Sequence, residues 1–181
     1  MESTRYIGKY RGFIPRVRYT GLALDLLLRK EFSLDYGKAC IVSETANRIW
    51  KEDAWAAYCL KVVAAKSFER LIYRGGTTPN PNWTMIIQAA YAYSKAAKNA
   101  YLFYELRSAA VRCRMLAHRL FCDALPLCRD EEGKRAIQSN IEYETNQLIT
   151  CFENFSLDDL RFYEPGEPRI PASKLFVNER K

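Results

Sequence analysis

"WTMIIQAAYAYSKAAKNAYLFYELRSAAVRCRMLAHRLFCDAL", residues 83–125, decides the fold. No glycine or proline interrupts it before Pro126, so the stretch predicts one helix from Trp83 to about Leu125. At 1.5 Å per residue, some forty residues would run roughly 60 Å, which exceeds the usual globular helix. A kink, or an end that outruns its partners, is therefore expected. Inside it, AAYAYSKAAKNAY (89–101) alternates small residues with tyrosines. Alanine lets a second helix approach closely, and tyrosine adds contact area with a polar tip, so the pattern reads as helix–helix packing.

Working outward, RGGTTPNPN (74–82) holds two glycines and two prolines and reads as a loop, with Asn82 placed to cap the helix that follows. Upstream of the loop, Ser43 is a good N-cap and Glu44 suits the first turn. From there to Tyr73 the positions Ile49, Trp50, Tyr58, Leu60, Val62, Val63, Phe68 and Leu71 keep a helical stripe with no breaker. A turn at Asp35-Tyr36-Gly37 and a short amphipathic helix, LALDLLLRKEF (22–32), precede it. Downstream, Asp130 caps a helix to about Phe155, followed by a turn, SLDDLRFY (156–163). EPGEPRIPASKLFVNERK (164–181) contains three prolines and a glycine, so its first half cannot be helical. The fold class expected is all-α: an elongated bundle of three to four helices, two of them long. Extended arms at residues 1–21 and 161–181 flank a helical domain over 22–160.

Composition agrees with one domain. The 181 residues are 49% hydrophobic and 27% charged, enough for a single core. A net charge of +7 calls for an anionic partner: nucleic acid, an acidic membrane face or an acidic protein surface. The six cysteines form no CxxC pair and read as reduced, buried thiols. No run is long and apolar enough to span a membrane. The basic N-terminus has the charge of a mitochondrial transit peptide, but Pro15 and the glycines around it break any amphipathic helix. A soluble intracellular chain is the expectation.

Catalytic and cofactor chemistry find little support. His118 is the lone histidine; it lies four residues from Cys122, with Cys113 before and Cys128 beyond Pro126, a spacing that fits no familiar zinc site. Gly75-Gly76 follows no strand, so it is not a phosphate cradle. Glu142 and Glu144 read as solvated charges on a polar helix face. The expectation is no catalytic residue, no metal and no cofactor. Arg107, Arg112, Arg114 and Arg119 form a cationic cluster on the long helix, in which Arg112 and Arg119 share a face. It is a candidate secondary contact for an acidic partner. No known nucleic-acid-binding pattern accompanies it.

The N-terminal stretch YIGKYRGFIPRVRY (6–19) has three tyrosines, a phenylalanine, a proline, two glycines, four basic residues and no acid. Tyr6, Tyr10, Phe13 and Tyr19 cannot all be satisfied by a short ribbon folding on itself. Gly12 permits close backbone approach and Pro15 fixes an extended bend. Arg16 and Arg18, two apart, face the same way in an extended chain. This is the make-up of a segment that enters a groove on something larger, with rings filling pockets and guanidinium groups forking onto carboxylates.

The stretch resembles the N-terminal signature of the ciliary microtubule inner protein 2 family, Tyr-Ile-Pro-Gly-Tyr-x-Gly-Phe-x-Pro-x-x-Arg-Tyr. Tyr6, Ile7, Tyr10, Gly12, Phe13, Pro15, Arg18 and Tyr19 stand in register with it. Gly8-Lys9 replaces the family's Pro-Gly, and Tyr36-Gly37 is a displaced counterpart of its later Tyr-Gly pair. The resemblance implies a structural protein in the lumen of ciliary or flagellar doublet microtubules, binding α/β-tubulin and neighbouring inner proteins and stiffening the lattice. The tubulin contacts would be Tyr6, Tyr10, Gly12, Phe13, Pro15, Arg16, Arg18 and Tyr19, with no nucleic acid and no membrane involved. Two other readings suit a basic, helical, arm-bearing chain: an accessory subunit of a large mitochondrial respiratory complex, and an RNA- or ribosome-associated protein.

Overall fold

In the computed structural model of the chain, residues 34–74, 82–103 and 106–155 are described. They are helical and contain no strand, which makes the described body all-α. The N-terminal arm and the helix expected at 22–32 lie outside the described residues, as do most of the 74–82 loop and everything after residue 155.

Among the described residues there are five α-helices, because each of the two long helices anticipated from the sequence, 43–73 and 83–125, is split in two. The first, α1, is Tyr36–Ile49. It begins not at Ser43 but at Asp35, whose carboxylate accepts the Lys38 backbone N–H at 2.9 Å. An aspartate cap satisfies an orphan amide and sits at the positive end of the helix dipole. The presumed turn Asp35-Tyr36-Gly37 is thus the start of a helix, and Ser43 lies in its middle.

A second cap breaks what looked like a continuous helix to Tyr73. Glu52 and Asp53 both return their N–H groups to the Ile49 carbonyl, at 2.9 and 2.7 Å. Asp53 then takes an extended φ of −145° and accepts the Ala56 N–H at 2.9 Å. Helix α2, Ala54–Ile72, follows. Every residue from Ala56 to Ala65 is buried, so α2 is enclosed by its neighbours on all sides.

Helix α3, Trp83–Ala100, starts at Asn82, whose side chain makes no capping bond; its backbone carbonyl accepts from Met85 and Ile86 instead. The small residues behave as their spacing implies. Ala89, Ala90, Ala92, Ala96, Ala97 and Ala100 are all buried. Helix α4, Arg107–Ala124, is separate from α3. Leu102 and Phe103 donate to the carbonyls of Asn99 and Ala100, three residues back, tightening the last turn and ending the helix. Tertiary contacts fix the break: Phe103 packs edge-on against Trp55 at 5.9 Å, and Tyr101 lies 5.6 Å from the Phe155 ring. Those aromatic anchors outweigh local helix propensity, which is a weak prior.

A 3-10 turn, Leu125–Leu127, carries Pro126. Helix α5, Glu131–Asn154, is capped as expected: Asp130 accepts the Gly133 N–H at 2.7 Å, and Glu131 and Glu132 occupy the first turn. Each helix packs principally on its neighbour in sequence, α1 on α2, α2 on α3, α3 on α4 and α4 on α5. No helix among the described residues is long and apolar enough to cross a membrane.

Candidate functional site

The eight arm residues Tyr6, Tyr10, Gly12, Phe13, Pro15, Arg16, Arg18 and Tyr19 lie outside the described residues. The four arginines of α4 can be placed, and they do not form one surface. At about 100° per residue, Arg112 and Arg114 stand some 200° apart, on opposite sides of the helix.

Arg114 points inward. Its Nη1 donates to both carboxylate oxygens of Glu144 on α5, at 3.1 and 3.0 Å, and its Nη2 reaches Gln147 Oε1 at 3.5 Å. Ser94 of α3 donates to Glu144 Oε1 at 2.5 Å. The guanidinium also lies 5.5 Å from the Tyr143 ring centroid. Arg114 is therefore removed from the candidate surface, and Glu144, read as a solvated charge, is fully buried. The sequence holds a signal for this. Ile137, Glu144 and Cys151, the buried residues of α5, repeat every seven positions. Glu144 thus sits in the seam that faces the bundle, where a lone charge requires a partner.

Arg119 remains at the surface, paired with Glu69 of α2. The other Glu69 oxygen accepts from the buried Tyr93 hydroxyl at 2.7 Å, and Tyr73 donates to Asp123 at 2.8 Å nearby. These bonds tie α2 to α3 and α4. Arg107 opens α4 with its guanidinium 5.2 Å from the Phe155 ring, half-buried, and Arg112 is half-buried one face away. Of the four, Arg119 keeps the most exposed cationic head.

His118 and Cys122 meet, Sγ to Nδ1 at 3.8 Å, but Cys113 is buried on another face of α4. Among the described residues no three His, Cys, Asp or Glu side chains converge as metal ligands would. None of the six cysteines is in a disulfide.

A feature the sequence reading missed lies between α1, α2 and α3. Lys61 of α2, 3% exposed, donates to Ser43 Oγ of α1 at 2.6 Å. Burial strips water from the ammonium and the charge of Lys95 on α3 opposes it, so the Lys61 pKa falls to about 8. A serine beside a lysine of low pKa is the pairing of a nucleophile and its base. Ser43, however, is in mid-helix, where surrounding backbone N–H groups are already bonded four residues back and cannot stabilise an oxyanion. Acyl transfer therefore lacks its second component. Close by, Trp50 has the ammonium groups of Lys51 and Lys98 at 5.7 and 5.9 Å from its ring centroid. Lys61 of α2 thus has Lys95 of α3 near it, and Lys98 of α3 meets Lys51, in the turn after α1, at the Trp50 ring.

Comparison with known proteins returned no matching family model, no matching curated protein and no matching solved structure.

Proposed function

We propose that this chain is a non-catalytic structural protein of the lumen of ciliary or flagellar doublet microtubules. Its N-terminal segment anchors it to α/β-tubulin, and its helical body packs beside neighbouring inner proteins. One observation carries the reading: eight residues between Tyr6 and Tyr19 stand in register with the signature of the ciliary microtubule inner protein 2 family. The net charge of +7 suits an acidic host. The contact of the Arg107 guanidinium with the Phe155 ring pairs two residue types that protein interfaces favour.

Tyr10→Ala combined with Phe13→Ala tests the anchor. Expressed in ciliated cells as a tagged full-length chain, the double variant should fail to enter axonemes, while its circular dichroism matches the parent's. The parent should stay with axonemes washed in high salt and mild detergent, as a lumenal protein would, whereas a surface-bound basic protein would be stripped. Normal incorporation of the double variant, or a tag signal confined to mitochondria, would remove the proposal.

A further inference from the structure

We propose that Lys61, Ser43 and Lys95 form a binding site for a carboxylate presented by an acidic segment of a partner protein. The site belongs to the helical body and does not depend on the reading of the N-terminal segment.

Buried cations ordinarily have an anionic partner, as Arg114 has in Glu144. Lys61 does not among the described residues: its one hydrogen-bond partner is the Ser43 hydroxyl, and the charge acting on it is another cation, Lys95. Because Ser43 accepts from Lys61, its own proton is left to donate. A helical serine usually gives that proton to the carbonyl four residues earlier, as Ser67 does to Val63 at 2.8 Å. Among the described residues Ser43 makes no such bond. The half-buried hydroxyl is thus a donor polarised from behind by a buried ammonium, and the exposed Lys95 supplies the second donor.

Ser43 of α1 and Lys61 of α2 are in direct contact, and Lys95 of α3 is near enough for its charge to act on Lys61, so the set offers donors that complement an anionic oxygen. Further carboxylates of the same segment would meet Lys98, one turn along α3, and Lys51 after α1. Protein is favoured over nucleic acid because the aromatic that meets these lysines among the described residues, Trp50, already has its ring engaged by two ammonium groups rather than left open for bases to stack on.

The experiment uses the purified full-length chain and a fluorescein-labelled glutamate-only peptide, with binding read by fluorescence anisotropy at low salt. Lys95→Gln and Ser43→Ala should each weaken binding by about tenfold, the loss of one charge-assisted hydrogen bond. Lys134→Gln, a control on α5 where Lys134 pairs with Glu131, should bind as the parent does. Should Ser43→Ala lower the melting temperature, the exposed Lys95→Gln decides alone. Parent-like binding by Lys95→Gln, or an equal loss in the Lys134→Gln control, would overturn the site. So would tighter binding of an oligouridylate that is lost in the same variants, which would assign the lysines to RNA.

Discussion

Arg114 of α4 and Glu144 of α5 form a two-pronged ion pair, 3.1 and 3.0 Å long, with side chains only 5% and 1% exposed. Ser94 of α3 closes the Glu144 shell, so three helices meet on one carboxylate. Such a pair sets how α5 docks, because any slip along the seam strands two charges in an apolar interior.

Removing one partner is the costly change. Arg114→Met should destabilise the chain by about 3–5 kcal/mol in urea unfolding, since Glu144 is left buried and uncompensated. Adding Glu144→Leu should restore most of that loss. A double variant no better than Arg114→Met would show that the pair is not what holds α5.

Gly133 is fixed by space. A Cβ there would meet Cys128 Sγ at 2.8 Å, Asp130 Oδ2 at 3.1 Å and the Trp83 ring at 3.7 Å. Alanine is the better helix former by about 1 kcal/mol, yet Gly133→Ala should destabilise by about 1–3 kcal/mol through overpacking. In a Cys128→Ala background, where the sulfur is gone, the same substitution should become neutral or stabilising. Thermal melts of the four chains read this directly.

Asp53 is the device that separates α1 from α2. Asp53→Ala removes its bond to the Ala56 amide and should cost about 1 kcal/mol, whereas Asp53→Asn should cost less because the amide oxygen can still accept. Chemical denaturation of the two variants checks the order.

Alkaline pH acts on the core from two directions. Burial pushes the Cys113 thiol up to about 12 and raises Cys59, Tyr58 and Tyr93 as well. Their folded pKa values lie above the unfolded ones, so their contribution is complete below about pH 9 and is lost as pH climbs toward 12. Lys61 has the opposite sign. Its folded pKa, about 8, lies below the ordinary 10.5, so its burden on stability is full below pH 8 and fades by about 10.5. Lys61→Met should therefore be more stable than the parent at pH 7, by about 1–3 kcal/mol, with the gap closing as pH rises from 8 to 10.5. Stability curves across that range settle the sign.

Much of the helical body was legible because its signals are local. The alanine–tyrosine alternation of 89–101 marked a packed helix, and Asp130 marked where α5 begins. The breaks were less visible. Asp35 starts α1 where a turn was expected, and Asp53 parts α1 from α2 without glycine or proline, while the α3–α4 break depends on Phe103 reaching Trp55, a contact between residues distant in sequence. Charge was the hardest to place. Glu144 and Lys61 are buried by the faces they happen to occupy, and only the seven-residue repeat around Glu144 betrays it. The Ser43–Lys61 bond joins residues eighteen apart on two helices, a relationship no spacing rule contains.

The neighbour-by-neighbour stacking of the five helices also governs how the chain folds. Among the described residues every principal interface joins helices adjacent in sequence, so little loop entropy is lost before contacts form. Helical hairpins can assemble in order as synthesis proceeds, and α2 gains its last described partners, Arg119 and Asp123, when α4 is made. Fast folding is the expected consequence for the described helices, with α5 arriving after the other four to bring Glu144 onto Arg114.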